Sequence, residues 1–318
     1  MKIFCAGGVS EHGRTCFLVE TDHQSFLLDC GIKKGATTDY PLLEDQQIAK
    51  LSHAFISHSH ADHAGALPWL LEHGFTGCAV MSASTRDQIS FVGYGMFLPS
   101  LPGSLSLGPD FFVEWGRSGH CEGSLWFRFT LEGLILLYSG DYCETSLAYT
   151  CDALRLQEAD LAILDCAYGK KSIKLETSTA KLRALVEKNA QKGYSTLFPV
   201  PQFGRGNDLK ILFKDEPSVA FFQDPQLRKP LPKELLGSRI IFTGTLEKGT
   251  RAYGMIKKHQ AKLVYYPVHM NFEEVKLLAA RNMFRQIIIF HGERSAFGRT
   301  IPPRFLLPRP GDSLPVLP

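Results

Sequence analysis

The chain has 318 residues, of which 44% are hydrophobic and 21% charged, and its formal net charge is +3. That composition is ordinary for a soluble globular protein, and the length accommodates two packed domains or one large α/β domain. No apolar run has the length of a membrane span, so no membrane partner is expected, and the small positive charge carries no strong signature of nucleic acid. The N-terminus, MKIFCAGG, lacks the apolar core of a signal peptide, which makes a cytoplasmic setting the expectation. The eight cysteines form no CxxC pair and are expected as reduced core thiols.

The first sixty residues read as strands: KIFCA, then TCFLVE and SFLLDCG as a hairpin about TDHQ, then HAFISH. AGALPWLLEHG reads as a helix stopped at Gly74. Strands return in GCAVMS, SLWFRFTLEG, LILLYSGDY and LAILDCAYG, the last with Asp165 at its end. From about residue 170, helices and strands alternate. TSTAKLRALVEKNAQKG is predicted as a helix with a Thr/Ser start, STLFPV as a strand and GRGNDLKILF as a helix. RIIFTG, GTRAYGMIKKHQ, KLVYYPV, NFEEVKLLAARNMF and QIIIFHG continue the alternation expected of a mostly parallel sheet. The Pro- and charge-rich stretch 215–236 reads as a linking loop. The tail is expected to form an edge strand, FLLPRPGDSLPVL, turning at Pro-Gly-Asp.

Residues 57–65, SHSHADHAG, place His58, His60, Asp62 and His63 within six positions, between a strand and a helix and so in a loop. One metal ion could take His58 and His60 and a second Asp62 and His63, a donor set that suits zinc. Four residues under-coordinate two ions. His120 in SGHCEGS, Asp141 in LLYSGDY and His291 in IIIFHGE supply further donors where buried strands emerge.

The set HSHADH, SGHCEGS and YSGDY resembles the metallo-β-lactamase fold. LAILDCAYG, FPVPQFGRGND, FTGTLEKGT, YYPVHMNFEE and IIIFHGE, in that order, resemble its β-CASP branch of RNA-processing nucleases. The resemblance implies an α/β fold, an αββα sandwich with an inserted small α/β cap. The metallo-β-lactamase domain would occupy 1–168 and 269–318, and the cap 169–268. It implies two zinc ions, with manganese an alternative: one on His58, His60 and His120, the other on Asp62, His63 and His291, with Asp141 bridging. Asp165, His269 and His291 correspond to the branch's three extra motifs. His269, supported by Asp165, would protonate the leaving group, and Asp62 would orient the attacking hydroxide held between the metals. The implied activity is phosphodiester cleavage of nucleic acid, most readily single-stranded RNA, leaving a 5′-phosphate and a 3′-hydroxyl.

Two departures from the branch stand out. The cap is short, and Asn207-Asp208 replaces the usual acid after the Gly-Arg pair. Arg205 is a candidate substrate contact, and Lys210, Lys170 and Lys171 are weaker ones. Asp29, ending FLLDCG, is either an acid supporting the metal ligands or a turn residue. His12, His23, His53, His73 and His259 fit no motif. Two competing functions remain: hydrolysis of a small ester, lactone or thioester on the same fold, and a silent nucleic-acid-binding scaffold. The cap-type histidines disfavour the first and the intact ligand set the second.

Overall fold

The computed structural model describes residues 1–33, 39–297 and 301–316. The chain divides into two compact units. The first comprises Met1–Glu144, Thr150–Lys171 and His269–Pro318, and the second Thr145–Tyr149 and Ser172–Val268. Among the described residues, no helix is long and apolar enough to cross a membrane.

The first unit opens with β1 (Lys2–Gly7), β2 (Cys16–Glu20) and β3 (Ser25–Leu28), antiparallel neighbours that include the expected hairpin. It continues through α1 (Asp45–Ile48), β4 (His53–Phe55), α2 (Ala61–Ala64), α3 (Leu67–Glu72), β5 (Cys78–Ser82), α4 (Ala83–Ile89) and β6 (Gly95–Leu98). β3 to β6 pair in parallel. An antiparallel run follows in β7 (Gly103–Gly108), β8 (Phe111–Arg117), β9 (Leu125–Leu131) and β10 (Leu134–Tyr138), and β11 (Glu158–Asp165) lies parallel to β10.

The second unit holds α5 (Leu175–Ala190), β12 (Thr196–Pro199), α6 (Arg205–Leu212), β13 (Val219–Phe222), β14 (Arg239–Phe242), α7 (Arg251–Lys257) and β15 (Lys262–Leu263). The chain returns to the first unit with α8 (Phe272–Ala280), β16 (Met283–Phe290), β17 (Phe305–Leu306) and β18 (Ser313–Pro315).

Two seven-stranded sheets result, ordered β18-β1-β2-β3-β4-β5-β6 and β17-β16-β11-β10-β9-β8-β7. Their layering follows from side-chain alternation. Phe17, Val19, Phe26 and Phe55 of the first sheet meet Phe127, Phe129, Tyr138 and Phe290 of the second in one core. The intervening residues, Leu18, Leu27 and Ala54, pack outward on Leu67 and Leu70 of α3. On the far face of the second sheet, Ala162, Leu164, Ile287 and Ile289 pack on Val275 and Leu278 of α8. Strands apolar on both faces thus demand helices on both outer sides, which is the αββα sandwich.

In the second unit a four-stranded parallel sheet, ordered β13-β12-β14-β15, carries α5 and α6 on one face and α7 on the other. Segment Thr145–Tyr149 joins this unit because buried Asp208 of α6 accepts hydrogen bonds from Ser146 Oγ (2.7 Å), Leu147 N (2.9 Å) and Ala148 N (2.7 Å).

Four expectations need correction. The tail does form strands, but not one hairpin: β17 pairs with β16 at the edge of one sheet and β18 with β1 at the edge of the other. Pro308 and Pro310 cannot donate to a ladder, so the chain crosses between sheets there and turns at Gly311, whose φ is +94°. The stretch 215–236 contains β13, a half-buried edge strand, VAFF, whose signal the surrounding Pro and charge obscured. The helix α5 starts at Leu175, without a Thr or Ser cap. Finally, SHSHADHAG is only partly a loop, since Asp62 and His63 lie on the helical turn α2.

Phe55 sits at the centre of the inter-sheet core, its ring 4.8 Å from that of Phe129, 5.4 Å from Phe26 and 5.6 Å from Phe127. Phe55→Ala is expected to destabilise the first unit by about 3–5 kcal/mol, and Phe55→Leu by much less. Urea unfolding followed by near-UV circular dichroism measures both; equal losses would mean that the cavity is not the cause.

Candidate metal centre

The residues of the site emerge where parallel strands end. Asp29 follows β3, His58 follows β4, Asp141 follows β10, Asp165 closes β11 and His291 follows β16. His120 lies between β8 and β9. In a layered α/β structure, the carboxyl ends of parallel strands form one edge where side chains from distant sequence converge. Gly31 permits the close approach of α2: a Cβ there would lie 1.7 Å from the Asp62 carbonyl oxygen.

Asp29 organises the first part of the site. It has no exposed surface, and its φ of +58° places it in the left-handed region. It therefore serves as turn residue and supporting acid at once. Its Oδ1 accepts the Ser57 amide at 2.6 Å, and its Oδ2 accepts the Ser57 hydroxyl at 2.7 Å and His63 Nδ1 at 2.6 Å, together with the Tyr138 hydroxyl. A carboxylate only accepts, so His63 donates its Nδ1 proton to Asp29, which points Nε2 at the centre. The Ser57 hydroxyl, committed as donor to Asp29, accepts from His58 Nδ1 at 3.0 Å, so His58 Nε2 is bare. One buried acid thus sets the tautomer of two histidines.

Two donor clusters stand on this support. Nitrogens of His58, His60 and His120 and the Cys121 sulfur lie within 4.8 Å of one another, as do donor atoms of Asp62, His63 and His291. His60 Nδ1 is 3.1 Å from His58 Nε2 and 3.2 Å from His120 Nε2. Asp141, 1% exposed, reaches both clusters: its oxygens lie 3.5 Å from His58 Nε2, 3.4 Å from His120 Nε2, 3.2 Å from His63 Nε2 and 3.0 Å from His291 Nδ1. His291 Nε2 is 3.3 Å from Asp62 Oδ2. The buried His60 Nε2 and His63 Nε2 have no hydrogen-bond partner. Imidazole nitrogens converging on a shared carboxylate are a donor set that suits a metal ion.

Asp165 and His269 adjoin this set. Asp165 is fully buried; its Oδ2 accepts the Tyr142 amide at 3.2 Å and its Oδ1 the Ala167 amide at 3.0 Å. His269 Nδ1 lies 3.1 Å from Asp165 Oδ2 and 3.6 Å from Asp141 Oδ2. Arg205 belongs to the second unit, at the first position of α6. Lys170 and Lys171 are exposed.

The charges compensate one another. Burial pushes the Asp141 carboxyl up, but the surrounding His291, His63, His269 and His120 outweigh it and hold it well below its usual range. Burial likewise pushes His63 down, and the carboxylates of Asp141 and Asp29 lift it well above the usual histidine value. His291 is raised by Asp141 against the same burial, whereas burial and the His63 charge drive His58 well below. Asp165 settles at about 2, burial being overcome by His269 and by the hydrogen bonds it accepts.

Four residues near the centre escaped sequence reasoning. Ser57 and Tyr138 act through Asp29 and look like ordinary strand residues. His12, in the turn before β2, places its exposed ring 5.5 Å from that of His291. Cys121 follows His120 directly, and only its neighbour marked the position. Burial first, and then Asp141, push the Cys121 thiol up.

A family profile for the metallo-beta-lactamase superfamily matches residues 9–89. Over 256 residues the chain is 26% identical to the transcription termination factor FttA of Lokiarchaeum sp., covering 70% of this chain and 40% of that protein. It is 26% identical to the probable RNase MJ4 of Methanocaldococcus jannaschii, covering 68% and 57%. It is 28% identical to the cleavage and polyadenylation specificity factor 73 of Drosophila melanogaster, covering 72% and 37%. The chain therefore spans roughly two fifths to three fifths of the length of these relatives. Among solved structures, an Enterococcus faecalis protein of unknown function superposes with a TM-score of 0.62 at 12% identity, covering 98% of this chain and 99% of that one. The short form of human tRNase Z superposes at 0.51, again at 12% identity, with both chains fully covered. Sandwich, motif order and relatives together make the chain similar to the metallo-β-lactamase superfamily and, within it, to the β-CASP nucleases.

Proposed function

We propose that the protein is a zinc-dependent phosphodiesterase that cleaves single-stranded RNA, leaving a 5′-phosphate and a 3′-hydroxyl. Residues 1–168 and 269–318 form its metallo-β-lactamase domain and 169–268 its cap. His58, His60 and His120 hold one ion, Asp62, His63 and His291 the other, and Asp141 is shared; manganese is the alternative occupant. When bound, such a pair supplies Lewis-acid charge and a nucleophile at neutral pH. The eight free cysteines favour a reducing, cytoplasmic setting.

The observation that carries this reading is the His269–Asp165 pair beside the two clusters. Phosphodiester cleavage expels an alkoxide that needs a proton. His269 engages Asp165 through Nδ1, which leaves Nε2 to face the leaving oxygen. Asp165 is itself held by two backbone amides, so the ring has one orientation. Asp62, with a third of its side chain exposed, orients the attacking water. Nucleic-acid processing among the named relatives supports the same substrate class.

Purified protein is expected to carry about two zinc ions per chain by mass spectrometry and to lose RNA cleavage on chelation. Hydrolysis of lactones or thioesters with RNA left intact would refute the nuclease reading. RNA binding with no metal would favour a scaffold.

His269→Ala should lower turnover by about 10²–10⁴-fold with metal retained, whereas His291→Ala should lose metal. Equal metal loss in the two variants would remove the assigned proton donor.

Asp29→Asn should weaken metal binding by about 10–100-fold, because two histidines lose their fixed tautomer. Metal uptake must also displace protons from His63 and His291, both raised above the ordinary histidine range. Metal affinity should therefore rise with pH through neutrality, and calorimetry in two buffers should register proton release. A pH-independent affinity would contradict this charge assignment.

A further inference from the structure

The second unit has a switch point in its strand order that the metal centre does not use. Its sheet runs β13-β12-β14-β15, all parallel. From β12 the chain goes through α6 to β13 on one side, then crosses to β14 on the other and continues outward to β15. The order reverses between β12 and β14. In open parallel sheets, the loops leaving the carboxyl ends of two such strands part in opposite directions and open a crevice, where ligands bind.

The residues at this crevice suit a phosphate. The loop after β12 leads into α6, an eight-residue helix whose N-cap is Gly204 and whose first turn has no side-chain cap. Its first residue is Arg205. The guanidinium of Arg205 is seated against Gly244, in the loop after β14: a Cβ added at Gly244 would lie 2.1 Å from Arg205 Nη2 and 2.2 Å from Cζ. The charge therefore spans from the end of one strand to the end of the other.

Directly before Gly244 comes Thr243, only 1% exposed, whose hydroxyl has no hydrogen-bond partner. Ile241, two residues earlier, packs with Leu209 and Leu212 of α6, so alternation turns Thr243 to the face where α6 begins. A buried hydroxyl without a partner costs about 1–3 kcal/mol unless a ligand satisfies it. The one acid of the first turn, Asp208, is already engaged by Ser146, Leu147 and Ala148. A helix start, a guanidinium fork and a donor hydroxyl are the groups that recognise a phosphate.

We infer that the crevice between the ends of β12 and β14, built from Arg205, Thr243, Gly244 and the start of α6, is a phosphate subsite of the second unit that grips the backbone of a nucleic-acid strand. It extends the RNA reading above to a position outside the metal centre, and its test does not depend on cleavage, so the two ideas fail separately.

The experiment uses full-length protein stripped of metal by chelation. One arm titrates a fluorescent ten-nucleotide single-stranded RNA by anisotropy at several salt concentrations. The other follows inorganic phosphate through its effect on thermal stability. Arg205→Ala should weaken RNA binding about tenfold and reduce the salt-dependence slope by about 0.7, the share of one phosphate contact. Gly244→Ala, which displaces only the flexible end of Arg205, should reproduce that loss without removing a charge. Thr243→Val, close in shape, should weaken both ligands several-fold, and Arg205→Lys should restore the slope but not phosphate binding. Loss in both arms supports the strand-backbone site. Loss in the phosphate arm alone overturns the strand assignment in favour of a free phosphorylated ligand. Unchanged binding in both arms, or an equal loss from Lys188→Ala on the exposed side of α5, overturns the site.

Discussion

The buried carboxylate of Asp29 is the constraint on which the centre depends. It accepts two hydrogen bonds from Ser57 and one each from His63 and Tyr138. Burying a carboxylate is costly unless donors surround it, and here those donors include His63 and Ser57, which orient candidate metal ligands. The same bonds tie together β3, β4 and β10, that is, both sheets of the sandwich. Tyr138, itself a residue of the aromatic core, and the imidazoles of His58 and His63 are therefore tied to one group.

Backbone conformation is part of that arrangement. Asp29 and His291 both adopt positive φ, +58° and +65°, which is uncommon for residues other than glycine. Both come directly after a buried strand. A left-handed residue at that point turns the chain sharply, so the side chain faces the edge of the sandwich instead of continuing the strand's alternation. His291 is further held by its amide, which donates to the Gly8 carbonyl at 2.7 Å. Strain at these positions is sustained by the strands beneath them, and it brings donors from residues 29 and 291 to one place.

The first unit gathers its candidate metal ligands along one edge of the sandwich. Asp141 links the two donor clusters, and Asp165 links Asp141's neighbourhood to His269. Carboxylates and imidazoles thus alternate along this edge. The second unit has a different logic: a parallel sheet whose strand order reverses, with a glycine left bare where an arginine lies across it.

Much was legible without coordinates, and for local reasons. Short apolar runs marked most of the strands, the order of the motifs carried the resemblance that implied the sandwich, and the spacing of His58, His60, Asp62 and His63 pointed to a metal centre, because these are short-range patterns. Even there the helical turn under Asp62 and His63 was not visible, since four residues carry too little periodicity. The strand VAFF was masked by its Pro- and charge-rich surroundings, and the tail's two arms could not be assigned to separate sheets from their own composition. What the amino-acid sequence alone determined was which residue types could bind metal and how the strands must be covered. What only the tertiary structure decided was convergence: that Asp29 holds His58 and His63 in chosen tautomers, that Asp141 faces both clusters, and that Arg205 lies against Gly244. These contacts join residues tens to more than a hundred positions apart, and no local pattern encodes a distance that folding alone brings to a few ångströms.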